Sequence, residues 1–259
     1  MRKIYLSFLC MLSLVLGTVA GSAICVSTNT AIEMASSNVN INDVVPTFFT
    51  GRDKTRVPRV SSRKMRRMIQ SSVALRVRAS TGNLVTIGSG TIFDHDKLGL
   101  IVISAEHVSV AAFPSTMYAC SVISDDCVSL GETFVAEADT GHITSDWSIY
   151  RLSELPDTAR AIDRTSTSSG IGDKIWMIGH PFGVMPWVAS GNIAWEWQEN
   201  GSLMYAVDGF AAPGFSGGGA FNENGELVGI VVAIMHTRWG PQTQQVLVVP
   251  ISNLWVLDF

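Results

Sequence analysis

"PGFSGGGAFNENGELVGI", residues 213–230, places one hydroxyl, Ser216, among glycines directly before an apolar run. Alone it reads as a glycine-rich turn between two strands. Working outward, the same texture recurs from about Met68 to the end of the chain. "SVALRVRA" (72–79) alternates, "LVTIGSGTIF" (84–93) and "LGLIVISA" (98–105) are β-branched and apolar, and similar runs recur at "DWSIYRL", "KIWMIG", "LMYAVDG", "ELVGIVVAIM" and "VLVVPI". Many short strands between glycine and polar turns, with few helical windows, indicate an all-β barrel or sandwich. "PISNLWVL" (250–257) reads as a closing helix with Ser252 or Asn253 near its cap.

Composition sets the outer bounds. The chain has 259 residues, 47% of them hydrophobic and 15% charged, with a formal net charge of −4. Such a chain buries a large core and is neither disordered nor a nucleic-acid binder by charge. The charge is segregated: residues 52–67 hold eight of the eighteen Lys and Arg, whereas residues 68–259 carry eight basic against nineteen acidic side chains. The basic run reads as a solvated arm, with attraction to an anionic membrane surface or docking on the acidic domain as its functional readings. No aromatic residues interleave with the cations for base stacking, which argues against nucleic acid.

The first 26 residues, "MRKIYLSFLCMLSLVLGTVAGSAICV", combine two basic residues with an uncharged run from Ile4 to Val26. They fit a secretory signal peptide cut after Ala23, and they are long enough for a retained membrane anchor. Either reading exports the remainder. Residues 27–67 then read as a flexible linker with a basic arm, and 68–259 as one domain. Cys120 and Cys127 bracket "SVISDD" and fit either a disulfide closing a hairpin in an oxidising compartment or two free thiols. No cysteine or histidine pair has zinc-ligand spacing, so no metal is expected.

Three segments bear on Ser216. His107 follows an apolar strand in "LIVISAEHVSV", Asp146 opens "SDWSIYRL", and Ser216 sits in "PGFSGGGAF". A serine hydroxyl becomes a nucleophile when an imidazole takes its proton, and that imidazole needs a carboxylate to hold its tautomer and stabilise its cation. Gly214 would let its N–H and that of Ser216 converge on one oxyanion, and Gly217 and Gly218 would keep side chains away from a substrate carbonyl. His95, His142, His180 and His236 sit in no such motif and read as ordinary structure, and the tryptophans as core and rim.

In this order, "GSGTIFD…LIVISAEHV", "DWSIYRL", "IGDKIWMIGHPFG", "ASGNIAW" and "GFSGGGAFNENGELVGIVVAI" resemble the trypsin-like serine peptidases, in particular the HtrA (Do-like) branch, over roughly residues 70–256. Glu106 departs from the small or Asn residue the family has before its histidine, and Phe215 from the polar residue before its serine. Neither change removes a catalytic atom. No segment resembles the peptide-binding PDZ domain of many members, so a protease domain without one is expected. The resemblance implies two six-stranded antiparallel β-barrels, a His107–Asp146–Ser216 triad in the cleft between them, an oxyanion hole from the Gly214 and Ser216 N–H groups, and a polypeptide substrate with no cofactor.

It also implies that "DGFAAPG" (208–214) and "GIVVAIM" (229–235) line the pocket before the scissile bond. Phe210 would be its floor, Ala211 and Ala233 would line it, and Val232 and Ile234 would make it shallow and apolar, suited to small aliphatic residues. Two rivals stand: an inactive binding protein on the same fold, and an esterase with the same triad. The His–Asp–Ser order argues against an α/β-hydrolase, where the serine comes first. Oligomeric state is left open.

Overall fold

The structure, a computed structural model, describes residues 62–254 apart from 113–114, 122, 125, 135–142, 184, 200 and 237–243. Its twelve strands close into two barrels within one compact unit. The first runs β1 (Ser72–Arg78), β2 (Leu84–His95), β3 (Gly99–Ser104), β6 (Ser148–Leu152), β5 (Cys127–Phe134), β4 (Met117–Cys120) and back to β1. The second runs β10 (Gly219–Phe221), β11 (Leu227–His236), β12 (Gln244–Pro250), β9 (Ser202–Val207), β8 (Trp187–Glu199), β7 (Lys174–Gly179) and back to β10. All pairings are antiparallel. Closure leaves no strand edge unpaired, and this is the two-barrel, all-β architecture the motifs imply.

Register irregularities let such short strands coil around a barrel axis. One falls between Leu75 and Arg76 of β1, another between Val231 and Ala233 of β11. Turn chemistry is local. Gly99 and Gly225 have φ of 71° and 78°, and the Asn222 side chain accepts the N–H groups of Asn224 and Glu226 in the β10–β11 turn. His95 is the last residue of β2, paired with Gly99 rather than lying in the turn, and its Nδ1 accepts from the Lys97 and Leu98 N–H groups of the turn at 3.2 Å each. Cys120 and Cys127 face each other across β4 and β5 and are joined by a disulfide.

The described residues open inside the basic run. Ser62 caps a helix, α1 (Arg63–Ser71), by accepting the Met65 N–H at 2.9 Å, so residues 63–67 are not the flexible arm expected of them. The physical reason is a short apolar stripe: Met65, Met68 and Ile69 lie at i, i+3 and i+4, and all three pack on the core. Arg67 pairs with Asp163 at 2.9 Å, and Lys64 donates to the Glu223 carbonyl. Residues 1–61, which include the apolar leader and most of the basic run, lie outside the described residues; among the described residues no helix is long and apolar enough to cross a membrane.

The expected closing helix is a single 3₁₀ turn, Ile251–Asn253, among the described residues. Neither Ser252 nor Asn253 caps it. Pro250 occupies that position without a side-chain bond, and Asn253 instead binds β9 through the Leu203 N–H and carbonyl and reaches the Thr144 carbonyl.

Candidate active site

β3 delivers the chain to Ala105, and a short helix, α2 (Glu106–Ala112), begins at once. His107 is therefore held at a helix start on the first barrel. Asp146 follows a 3₁₀ turn (Ile143–Ser145) and precedes β6, the hydrogen-bonded neighbour of β3. Its carboxylate grips the histidine twice: Oδ2 lies 2.7 Å from Nδ1, and Oδ1 accepts the His107 backbone N–H at 3.0 Å. Both side chains are mostly buried, at 22% and 16% exposure. A proton on Nδ1 leaves Nε2 with its lone pair, the tautomer a general base needs.

Ser216 lies in the turn that feeds β10 of the second barrel, yet its backbone is fastened to the first. The Ser89 N–H of β2 donates to the Ser216 carbonyl at 2.8 Å. Gly217 has φ of 84°, and a Cβ there would fall 3.0 Å from the Ala105 N, two residues before His107. The Ser216 turn thus abuts the start of the helix that carries the histidine. Gly214 has φ of 104°, as a turn that aims two N–H groups together requires. The intervening peptides are pinned, with Phe215 N–H on the Ala212 carbonyl and Gly218 N–H on the Phe215 carbonyl. Among the described residues no acceptor is bonded to the Gly214 or Ser216 N–H.

Gly217 and Gly218 are held small by backbone crowding. A Cβ on Gly217 would sit 2.1 Å from the Ser89 carbonyl oxygen and 2.2 Å from the Ser104 hydroxyl, and one on Gly218 2.2 Å from the Ile178 carbonyl oxygen. Phe215, which stands where a polar residue was expected, is buried against Gly179.

In the segments expected to line the pocket, Phe210 is 51% exposed and tilts against Trp187 with ring centroids 5.9 Å apart. Val232 is the residue passed over by the β11–β12 register, and it lies wholly in the core rather than on a wall. Ala211 and Ala233 are buried and Ile234 is half-buried. Asp208 gives its carboxylate to the Asn192 N–H.

Two further residues lie in segments that resemble the family but were not singled out as site residues: Ser89 and His180 are both fully buried beside the Ser216 turn; Ser89 Oγ donates to the Gly214 carbonyl at 2.5 Å and accepts the His180 N–H at 2.9 Å. Glu106 is half-buried, and burial first, then the Asp146 carboxylate, push its pKa above the ordinary value while His107 pulls the other way.

Comparison with known proteins agrees with this fold. No curated protein matches the chain. Among solved structures, a serine-to-alanine form of the HtrA-type protease AlgW with a tripeptide superposes with a TM-score of 0.57 at 20% identity, over 74% of this chain and 60% of that one. The serine endoprotease from Yersinia pestis gives 0.57 at 21%, over 78% and 66%. Rv3671c of Mycobacterium tuberculosis, an inactive serine-to-alanine form, gives 0.55 at 16%, over 77% and 90%. The chain spans about three fifths to two thirds of the length of the first two, and at these identities the likeness is one of fold. A sequence profile described as the trypsin-like peptidase domain matches residues 88–230, from the strand that holds Ser89, through His107, Asp146 and Ser216, into β11. That stretch is more than half of the 259 residues, and the chain belongs to the trypsin-like peptidase family.

Proposed function

We propose that the protein is an exported endopeptidase that cleaves polypeptides through His107, Asp146 and Ser216. The observation that carries the reading is the doubly held histidine, with Asp146 on both its Nδ1 and its backbone N–H. His107 Nε2 takes the Ser216 hydroxyl proton as Oγ attacks the scissile carbonyl. The oxyanion settles on the Gly214 and Ser216 N–H groups, each donor contributing about 3 kcal/mol to the transition state. His107 then protonates the leaving amine, and water, deprotonated by the same imidazole, hydrolyses the acyl-enzyme.

Cleavage after small aliphatic residues such as Val, Ala or Ile is the expected preference. The reading rests on Ala211, Ala233 and Ile234, which are apolar, and on Phe210 rather than an acid at the expected floor position, since an apolar pocket does not house a charge cheaply. Export rests on the apolar leader of residues 1–26, and association of residues 52–67 with an anionic membrane surface rests on their charge alone.

The test combines a fluorophosphonate probe with a peptide library. Wild type should label and cleave, whereas Ser216→Ala should do neither while melting at an unchanged temperature. Labelling of Ser216→Ala at the wild-type rate would assign the nucleophile elsewhere, a library dominated by basic residues would overturn the specificity, and a wild type that never labels would leave a binding protein.

A further inference from the structure

Ser89 uses each of its polar groups on the nucleophile turn or on the frame that holds it. The backbone N–H donates to the Ser216 carbonyl at 2.8 Å, the hydroxyl donates to the Gly214 carbonyl at 2.5 Å and accepts the His180 N–H at 2.9 Å, and the carbonyl accepts the Ser104 hydroxyl at 2.8 Å. It is fully buried on β2, a strand of the other barrel from the turn it holds. The hydroxyl matters because of what lies on either side of the bond it makes. The Gly214 carbonyl and the Phe215 N–H belong to one peptide plane, whose other end is tied to the Ala212 carbonyl at 3.0 Å. The two proposed oxyanion donors, Gly214 N–H and Ser216 N–H, sit on the peptide planes immediately before and after. Gly214 has no Cβ and a φ of 104°, so nothing intrinsic to the residue stops its peptides from rotating. A rotation of the central plane would swing a carbonyl toward the site and take the donors out of convergence.

We infer that Ser89 is a positioning residue for catalysis, its hydroxyl locking the 214–215 peptide so that the Gly214 and Ser216 N–H groups converge on the transition-state oxyanion. This rests on the triad reading above. The lock is backed from behind. His180, which donates its N–H to the Ser89 hydroxyl, is itself wholly buried, and its Nε2 lies 2.9 Å from the hydroxyl of Ser72, the C-cap of α1. A continuous line of short bonds therefore runs from the end of α1 to the oxyanion turn.

Ser89→Ala removes the lock and leaves the Gly214 carbonyl without that donor. Substrate binding is untouched, since Ser89 is buried away from solvent, so the loss should fall on kcat. The experiment measures kcat and KM on the best library peptide, per active site titrated to end point with the fluorophosphonate, in wild type, Ser89→Ala and Ser89→Cys. Expected for Ser89→Ala is a fall in kcat of about 10- to 100-fold with KM within about two-fold. Affinity for a matched peptide boronate, whose tetrahedral oxygen occupies the oxyanion site, should fall by the same factor, while affinity for the cleaved product peptide stays. Ser89→Cys keeps a weak donor in nearly the same volume and should lie between the two. A role in folding alone would lower the titratable fraction and the melting temperature but leave kcat per titrated site and boronate affinity unchanged, and that result overturns the inference. If Ser89→Ala does not fold, Ser89→Cys decides: wild-type kcat per site overturns, reduced kcat with unchanged KM supports. A wild type that neither labels nor cleaves instead sinks the triad reading, so the two failures are distinct.

Discussion

Glu106 adjoins the histidine, and the fold disfavours its charge. Partial burial and the nearby Asp146 carboxylate raise its pKa, and the imidazole side chain of His107 offsets them only in part. A folded pKa above the unfolded one means that the ionised form is disfavoured by folding. Below the ordinary glutamate range both states carry the proton and nothing is lost; as pH rises from the ordinary value through the raised one stability falls, and above it the loss is complete. Glu106→Gln should therefore raise the melting temperature at pH 7–8 and leave it unchanged near pH 4, measured by calorimetry across that range. A gain that is equal at both pH values would show that shape rather than charge is responsible. Neighbouring Gly217 shows the opposite relation, a residue fixed by sterics alone: its positive φ and the carbonyl 2.1 Å from its absent Cβ admit no other side chain.

At the scale of elements, α1 is the part whose sequence was hardest to read. Its charges dominate composition, and the charge run reads as a solvated arm, yet Met68 and Ile69 are buried and Arg67 and Lys64 are engaged with Asp163 and Glu223. The helix contributes through its apolar stripe rather than its ion pair: the Arg67 and Asp163 side chains are 50% and 53% exposed, and such pairs are worth at most about 1 kcal/mol. Met68→Ala should thus cost about 2–5 kcal/mol in urea unfolding and Arg67→Ala less than about 1 kcal/mol. The reverse ranking would mean that α1 is held by charge.

The strands were legible because alternation and turn residues are local signals, and His107, Asp146 and Ser216 because each follows or opens a strand at a recognisable motif. Barrel closure came only through resemblance, since period two does not say which strands meet. The crowding of Gly217 and Gly218 and the ring contact of Phe210 depend on Ser89, Ile178 and Trp187, each distant in sequence and invisible to any local pattern. The signal for α1 was present in Met65, Met68 and Ile69, but it spans barely one turn.

In the molecule as a whole, the two barrels are not separate bodies joined by a site. Val73, Ile92 and Ile103 of the first barrel share one buried cluster with Phe221, Leu227, Ile230 and Val249 of the second. Backbone bonds also cross from one to the other: Ser89 N–H reaches the Ser216 carbonyl, and the segment between the barrels pairs with both, at Phe93 and Ile162 and at Thr165 and Leu227. Unfolding either barrel alone would expose the shared cluster and strand buried polar groups of the nucleophile turn, so partly folded forms are disfavoured. Heat should unfold the protein in one transition, with the calorimetric and van't Hoff enthalpies equal and with fluorophosphonate labelling lost over the same interval. Tryptophan fluorescence localises the test. Trp147 is buried in the first barrel, whereas Trp176, Trp195 and Trp197 belong to the second. A Trp147→Phe variant should melt with the same midpoint by fluorescence as by labelling. Two midpoints, with the second barrel's tryptophans reporting one and activity the other, would show that the shared cluster does not couple the barrels, and that the triad is assembled by docking of independently folded halves.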